Sequence, residues 1–140
     1  MKLSREDLIL IARMMPWRIV LPIAKRVVSL SKLVSFMELP RRSSARQPFR
    51  EKRVASLAHR VSSLGSRSSA NCLERSLLAY RFLSEMGAAP RLVLGVRKEG
   101  EKVEGHAWVE VDGRAVAEQP PQELGYAPTT SFAAGASATS

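Results

Sequence analysis

Apolar residues recur at helical spacing through roughly the first 86 positions and change to strand-like alternation beyond Pro90. Ser4 followed by Glu6 and Asp7 has the form of a helix start. Leu8, Ile9, Ile11 and Ala12 carry that helix to about Met15, where Pro16 stops or kinks it. A second helix is expected after Pro22, with Ile23, Val27, Leu30 and Val34 as its apolar stripe and Lys25, Arg26 and Lys32 off it. Ser29, Ser31 and Ser35 dilute its amphipathicity, which favours packing on the domain over a membrane surface. Leu39 to Pro48 is a basic, proline-bracketed connector. A third helix fits Phe49 to Leu64, buries Val54, Leu57, Ala58 and Val61, and ends at Gly65; His59 near its stripe reads as structural.

The helix from Cys72 to Met86 is apolar on most of its circumference, with Glu74, Arg81 and Glu85 as its polar ridge. Such a helix belongs in the centre of a domain. Gly87 caps it. Arg91 to Arg97 then reads as an internal strand, Val103 to Val111 as a second and Arg114 to Glu118 as a third. From Ala127 to Ser140 the composition of Ala, Ser, Thr and Gly predicts disorder. The expected fold class is α+β: N-terminal helices, one buried helix and a small antiparallel sheet. The expected organisation is one compact domain, with a basic helical region at 1–65, a core at 66–122 and a flexible tail at 123–140.

Charge changes this picture by dividing the chain. Residues 1–60 carry 14 Lys/Arg against 4 Asp/Glu, whereas residues 61–140 carry 8 against 9. The first half is therefore expected to meet an acidic partner, and Arg41, Arg42 and Arg46 are its candidate docking residues. The connector lacks an aromatic residue for stacking on bases, which argues against nucleic acid. No apolar run approaches the roughly 20 residues of a membrane span, so a soluble cytoplasmic protein is expected. One cysteine and two histidines exclude an internal disulfide framework and argue against a structural zinc site; no metal or cofactor is called for.

The candidate chemistry centres on Cys72. Asn71 is a favoured N-cap and Glu74 stands three residues later, which gives the spacing of a capping box. Cys72 then occupies the first helical position, beside unpaired N–H groups that stabilise a thiolate below the free value of about 8.5. A small buried hydrophobe is the competing role for a lone cysteine. On the second strand His106, Trp108 and Glu110 share the face away from the core, and Trp108 can wall one side of the imidazole. The turn at Asp112-Gly113 selects the residue opposite His106. A two-residue loop sets Gln119 there, and a three-residue loop with a Gly113 bulge sets Glu118 there. The second is preferred here, because it also opposes Glu110 and Arg114.

Cysteine at a helix start, then histidine and acid on succeeding strands, is the order of papain-like and transglutaminase-like enzymes. More specifically, Asn71-Cys72-Leu73-Glu74-Arg75-Ser76-Leu77, Leu94-Gly95-Val96-Arg97 and His106-Ala107-Trp108-Val109-Glu110 with Asp112-Gly113 resemble the leader peptidase of bacterial lasso-peptide biosynthesis. That is the transglutaminase-like peptidase half of the split B protein. The resemblance is close over roughly residues 70–120 and extends to the N-terminal helices only in character. It implies a cysteine protease with Cys72 as nucleophile and His106 as base. Its partners would be a precursor peptide, a small leader-recognition protein and a lasso cyclase. The family usually carries aspartate as third member where this chain has Glu118, which is one methylene longer. Two other functions fit the residues: acyl transfer to side-chain amides within the same fold, and a non-catalytic basic module binding an acidic peptide or nucleic acid.

Overall fold

The computed structural model describes residues 3–38, 48–63, 72–116 and 121–133. Among them the order is α1 (Arg5–Met14), α2 (Trp17–Val27), α3 (Leu30–Met37), α4 (Pro48–Ser63), α5 (Cys72–Glu85), β1 (Arg91–Glu99), β2 (Lys102–Val111), β3 (Arg114–Ala115), a 3-10 turn (Pro121–Leu124) and β4 (Ala127–Ala133). The fold is α+β, with a four-stranded antiparallel sheet in the order β3-β2-β1-β4.

The helix starts follow their local chemistry. Ser4 caps α1 in a reciprocal box with Asp7, each side chain accepting from the other's backbone N–H. Asp7 is also buried against Arg53, which donates to it at 2.6 Å from Nη2. Those hydrogen bonds, Arg53 foremost, hold its carboxyl well below the usual carboxylate range. α4 opens on Pro48, where a missing N–H costs nothing, and buries Val54, Leu57, Ala58 and Val61 as its spacing predicts.

The second helix differs from its sequence reading. Pro22 lies inside α2 rather than before it, and the chain breaks at Val28 and Ser29 before α3. Pro22 is only the sixth residue of α2, so it forfeits a single backbone bond near the helix start. The break divides the supposed stripe. Ile23 and Val27 are exposed, while Leu21, Leu33, Val34 and Met37 enter the core.

α5 is the centre. Leu77, Tyr80 and Leu83 are fully buried, with Leu78, Ala79 and Phe82 nearly so. Its polar ridge faces the other helices: Glu74 pairs with Lys25 at 2.7 Å, Glu85 with Arg13 at 2.7 Å, and the Arg81 guanidinium lies 4.4 Å over the Trp17 ring. Gly87 adopts φ +77, and the amides of Gly87 and Ala88 close the helix end on the carbonyls of Ser84 and Leu83.

Two sequence expectations fail in the sheet. Asp112 and Gly113 both have positive φ (55 and 78), and Val111 pairs with Arg114 and Glu110 with Ala115. This is the two-residue hairpin with primed-turn geometry, not the three-residue loop with a bulge. Asp-Gly supplies two left-handed residues in succession, and the cross-strand Glu110–Arg114 attraction did not outweigh that preference. The flexible tail expected for 123–140 is corrected over residues 123–133, and residues 134–140 lie outside the described residues. Pro121–Leu124 forms the 3-10 turn, and Ala127–Ala133 pairs along β1 with Phe132 buried in the core. Small polar residues suffice in an edge strand whose backbone is held by its neighbour. Pro128 is tolerated there at a register shift, where Thr129 Oγ1 donates to the Leu94 carbonyl at 3.1 Å.

Candidate active site

Cys72 is the first residue of α5 and is half-buried. The N-terminal turn of α5 meets β2 along the stretch not covered by β3. Residues 107, 109 and 111 direct their backbone polar groups toward the β3 side: Val111 pairs with Arg114, and the Val109 carbonyl accepts from the Val116 amide at 3.0 Å. At Ala107 two α5 side chains one turn apart meet the strand edge. Ser76 Oγ donates to the Ala107 carbonyl at 3.0 Å, and the Ala107 amide is directed at the Cys72 sulfur. Docking of α5 on an open strand edge thus satisfies β2 and fixes the thiol beside the residue after His106.

The His106 ring is in hydrogen-bond reach of Cys72. Burial pushes the Cys72 thiol up. The hydrogen bond from His106, the Ala107 amide and the positive charges of His106 and Arg75 outweigh it, so the thiol lies below its ordinary value. Cys72 thus combines a helix-start position, partial burial and a thiol held below its ordinary value.

The expected face also forms. Gly95 pairs with His106 and Val93 with Trp108, so His106, Trp108 and Glu110 lie opposite the helix-packed side of the sheet. That second face is covered, not open. Trp108 is fully buried, and its Nε1–H donates to Glu110 Oε2 at 2.9 Å; Gln122 Nε2 reaches the same oxygen at 3.4 Å. The indole lies where a side chain on Gly95 would be. A Cβ there would stand 2.7 Å from Trp108 Cη2 and 2.8 Å from the Ala127 carbonyl. His106 is flanked by two rings, Trp108 at 5.8 Å and Tyr126 at 5.1 Å between centroids. Sequence reasoning missed Tyr126, because it follows a proline-rich stretch and lies within the span expected to be a flexible tail.

Asn71, Glu118, Gln119, Arg41, Arg42 and Arg46 lie outside the described residues. The hairpin register that set Glu118 across from His106 is not the one formed.

The model of the transglutaminase-like superfamily matches residues 17–131. The chain belongs to that superfamily. The matched span runs from the start of α2 through most of β4, so it includes both the helices and the C-terminal strand on either side of the motifs. No curated protein and no solved structure matches the chain. A transglutaminase-like domain carrying a Cys–His pair at a helix start is suited to cysteine-protease or acyl-transfer chemistry. No helix among the described residues is long and apolar enough to cross a membrane.

Proposed function

We propose that this transglutaminase-like protein is a cysteine peptidase that removes the leader from a ribosomally made lasso-peptide precursor. The observation that carries the reading is the Cys72–His106 pair, held at the start of a buried helix within the C-L-x-R-S and H-A-W-V-E motifs. His106 takes the thiol proton, and the thiolate attacks the scissile carbonyl carbon. The backbone N–H groups at the start of α5, which lack helical acceptors, would receive the oxyanion. His106 then returns its proton to the leaving amine, and water hydrolyses the thioester. Glu118 remains the candidate third member, orienting His106, on the strength of the family resemblance alone.

Substrate delivery would fall to a small leader-recognition protein, with a lasso cyclase acting on the released core peptide. The N-terminal helices suit such a partner. α2 leaves Ile19, Ile23 and Val27 exposed, and Arg18 and Arg26 lie on the same helix. Arg41, Arg42 and Arg46 would extend the basic surface toward an acidic leader.

The test is mass measurement of the precursor after incubation with this protein and the recognition protein. Cys72→Ala is expected to lower cleavage by more than about 10³-fold, as for loss of other covalent nucleophiles. Retained cleavage would remove the proposal. Adding a primary amine separates the acyl-transfer alternative, since amide products in place of the free core peptide would assign transfer rather than hydrolysis.

A further inference from the structure

The segment after the 3-10 turn holds a feature that the Cys–His chemistry alone does not require. Gly125, at φ +91, turns the chain so that Tyr126 lies against His106, with ring centroids 5.1 Å apart and planes 32° apart. The turn is closed by the amides of Gly125 and Tyr126 on the carbonyls of Gln122 and Pro121, both at 3.1 Å. The Arg97 guanidinium sits over the tyrosine ring at 4.6 Å. Arg97 is itself anchored by Glu104 at 2.6 Å, Glu99 at 3.4 Å and the Leu124 carbonyl at 3.0 Å. The Tyr126 hydroxyl also shares Glu104. Contacts thus run from the anchored Arg97 through Tyr126 to the imidazole. On the other flank Trp108 is immobilised by complete burial and its bond to Glu110.

We propose that Tyr126, clamped by Arg97, is a positioning residue that holds the His106 ring in the orientation from which it engages Cys72. The inference rests on reading Cys72 and His106 as a reacting pair. A histidine on a strand has two rotatable side-chain bonds, and rings packed on both faces of the imidazole restrict them in a way that hydrogen bonds at its ring edge do not. Trp108 limits rotation on one side only. Tyr126 supplies the second wall, and Arg97 keeps that wall from swinging away with its exposed segment. Among the described residues the imidazole meets the Cys72 thiol of α5 and the rings of Trp108 and Tyr126; Arg75 bears on the thiol, Arg97 and Glu104 on Tyr126, and Glu110 on Trp108. Of these, Tyr126 alone packs a second ring on it without being part of its own strand.

The experiment is the pH dependence of Cys72 alkylation by iodoacetamide, with the full chain and no peptide substrate. Wild type, His106→Ala, Tyr126→Leu, Tyr126→Phe and Arg97→Gln are compared, with circular dichroism to confirm folding. Removing the ring frees the imidazole, so the acid limb of the profile should move up by about one pH unit in Tyr126→Leu, toward the His106→Ala profile. Tyr126→Phe should stay near wild type, because the phenyl ring keeps the wall. Arg97→Gln should shift the limb in the same direction by about half as much. A wild-type limb already at the His106→Ala position would remove the pair itself, and this proposal with it. A low wild-type limb that Tyr126→Leu leaves unmoved would overturn the proposal while sparing the pair. So would an equal rise in Tyr126→Phe, since the hydroxyl rather than the ring would then be responsible. Should Tyr126→Leu fail to fold, Arg97→Gln decides: a raised limb supports the clamp and an unmoved one overturns it.

Discussion

The two faces of the sheet are built by different physics. On one face Leu92, Val109, Val111 and Phe132 share a single apolar core with α5 and the other helices. That packing is mostly aliphatic and non-directional, and hydrophobic side chains of suitable volume serve it. On the other face Trp108, His106, Tyr126 and Arg97 meet ring to ring and ion to ring, and the indole N–H has a named acceptor. Those contacts depend on how each ring and the guanidinium are oriented. The first face makes a platform; the second aims one imidazole. Cys72 joins them, because α5 packs on the first face while its opening turn reaches the strand edge beside His106.

If that division is right, the largest stability loss should come from the aliphatic side with little consequence for the chemistry. Leu92→Ala removes a fully buried side chain near the start of β1. It should cost about 2–5 kcal/mol in a urea or thermal unfolding experiment. The pH profile of Cys72 alkylation in the folded fraction should be unchanged. A shifted profile would show that the two faces are not separable. Gly95→Ala probes the opposite side. Its Cβ would meet the Trp108 ring and the Ala127 carbonyl, both held by their surroundings and neither the end of a flexible chain. An overpacking loss of about 1–3 kcal/mol is expected. Unlike Leu92→Ala, it should also slow alkylation at neutral pH, because Trp108 is displaced against His106. Unaltered reactivity would mean that the indole does not support the imidazole.

The same division accounts for what could be read from the chain. Periodicity located α1, α4, α5, β1 and β2, since burial of an aliphatic stripe is written locally in residue spacing. The capping spacing of Asn71 and Glu74 set Cys72 at a helix start, and alternation put His106 on a strand with Trp108. The second face was mostly hidden. Tyr126 packs on His106 and Arg97 only after an intervening turn and strand pairing, and nothing near it in sequence signals a ring partner. β4 was mistaken for a tail because backbone pairing to β1, not composition, holds it. The hairpin was misjudged for a related reason. A weak side-chain pairing at Glu110 and Arg114 was set above the strong local preference of Asp-Gly for a two-residue turn. Glu110 instead receives the Trp108 indole N–H and Gln122, a use visible only once the second face is covered.

The smallest expected effect concerns the basic N-terminal half, where solvation and structure compete as explanations. Part of its charge is structural: Arg13, Lys25 and Arg53 reach Glu85, Glu74 and Asp7 and so connect three helices to their neighbours. Arg13 is the cleanest case. Its two terminal nitrogens bond the two Glu85 oxygens at 2.8 and 2.7 Å, and its guanidinium lies 4.9 Å over the Phe82 ring of the same helix. The pair is partly exposed, so water and salt screen it and the geometry is worth little despite being bidentate. Arg13→Gln should cost at most about 1 kcal/mol at low ionic strength. That difference should shrink toward zero at about 1 M salt, where the screening length falls to roughly 3 Å. No difference even at low salt would make Arg13 a solvated charge, despite its contacts. A loss that persists in high salt would point to the packing on Phe82, an ion-to-ring contact like those of the second face but used on the platform side.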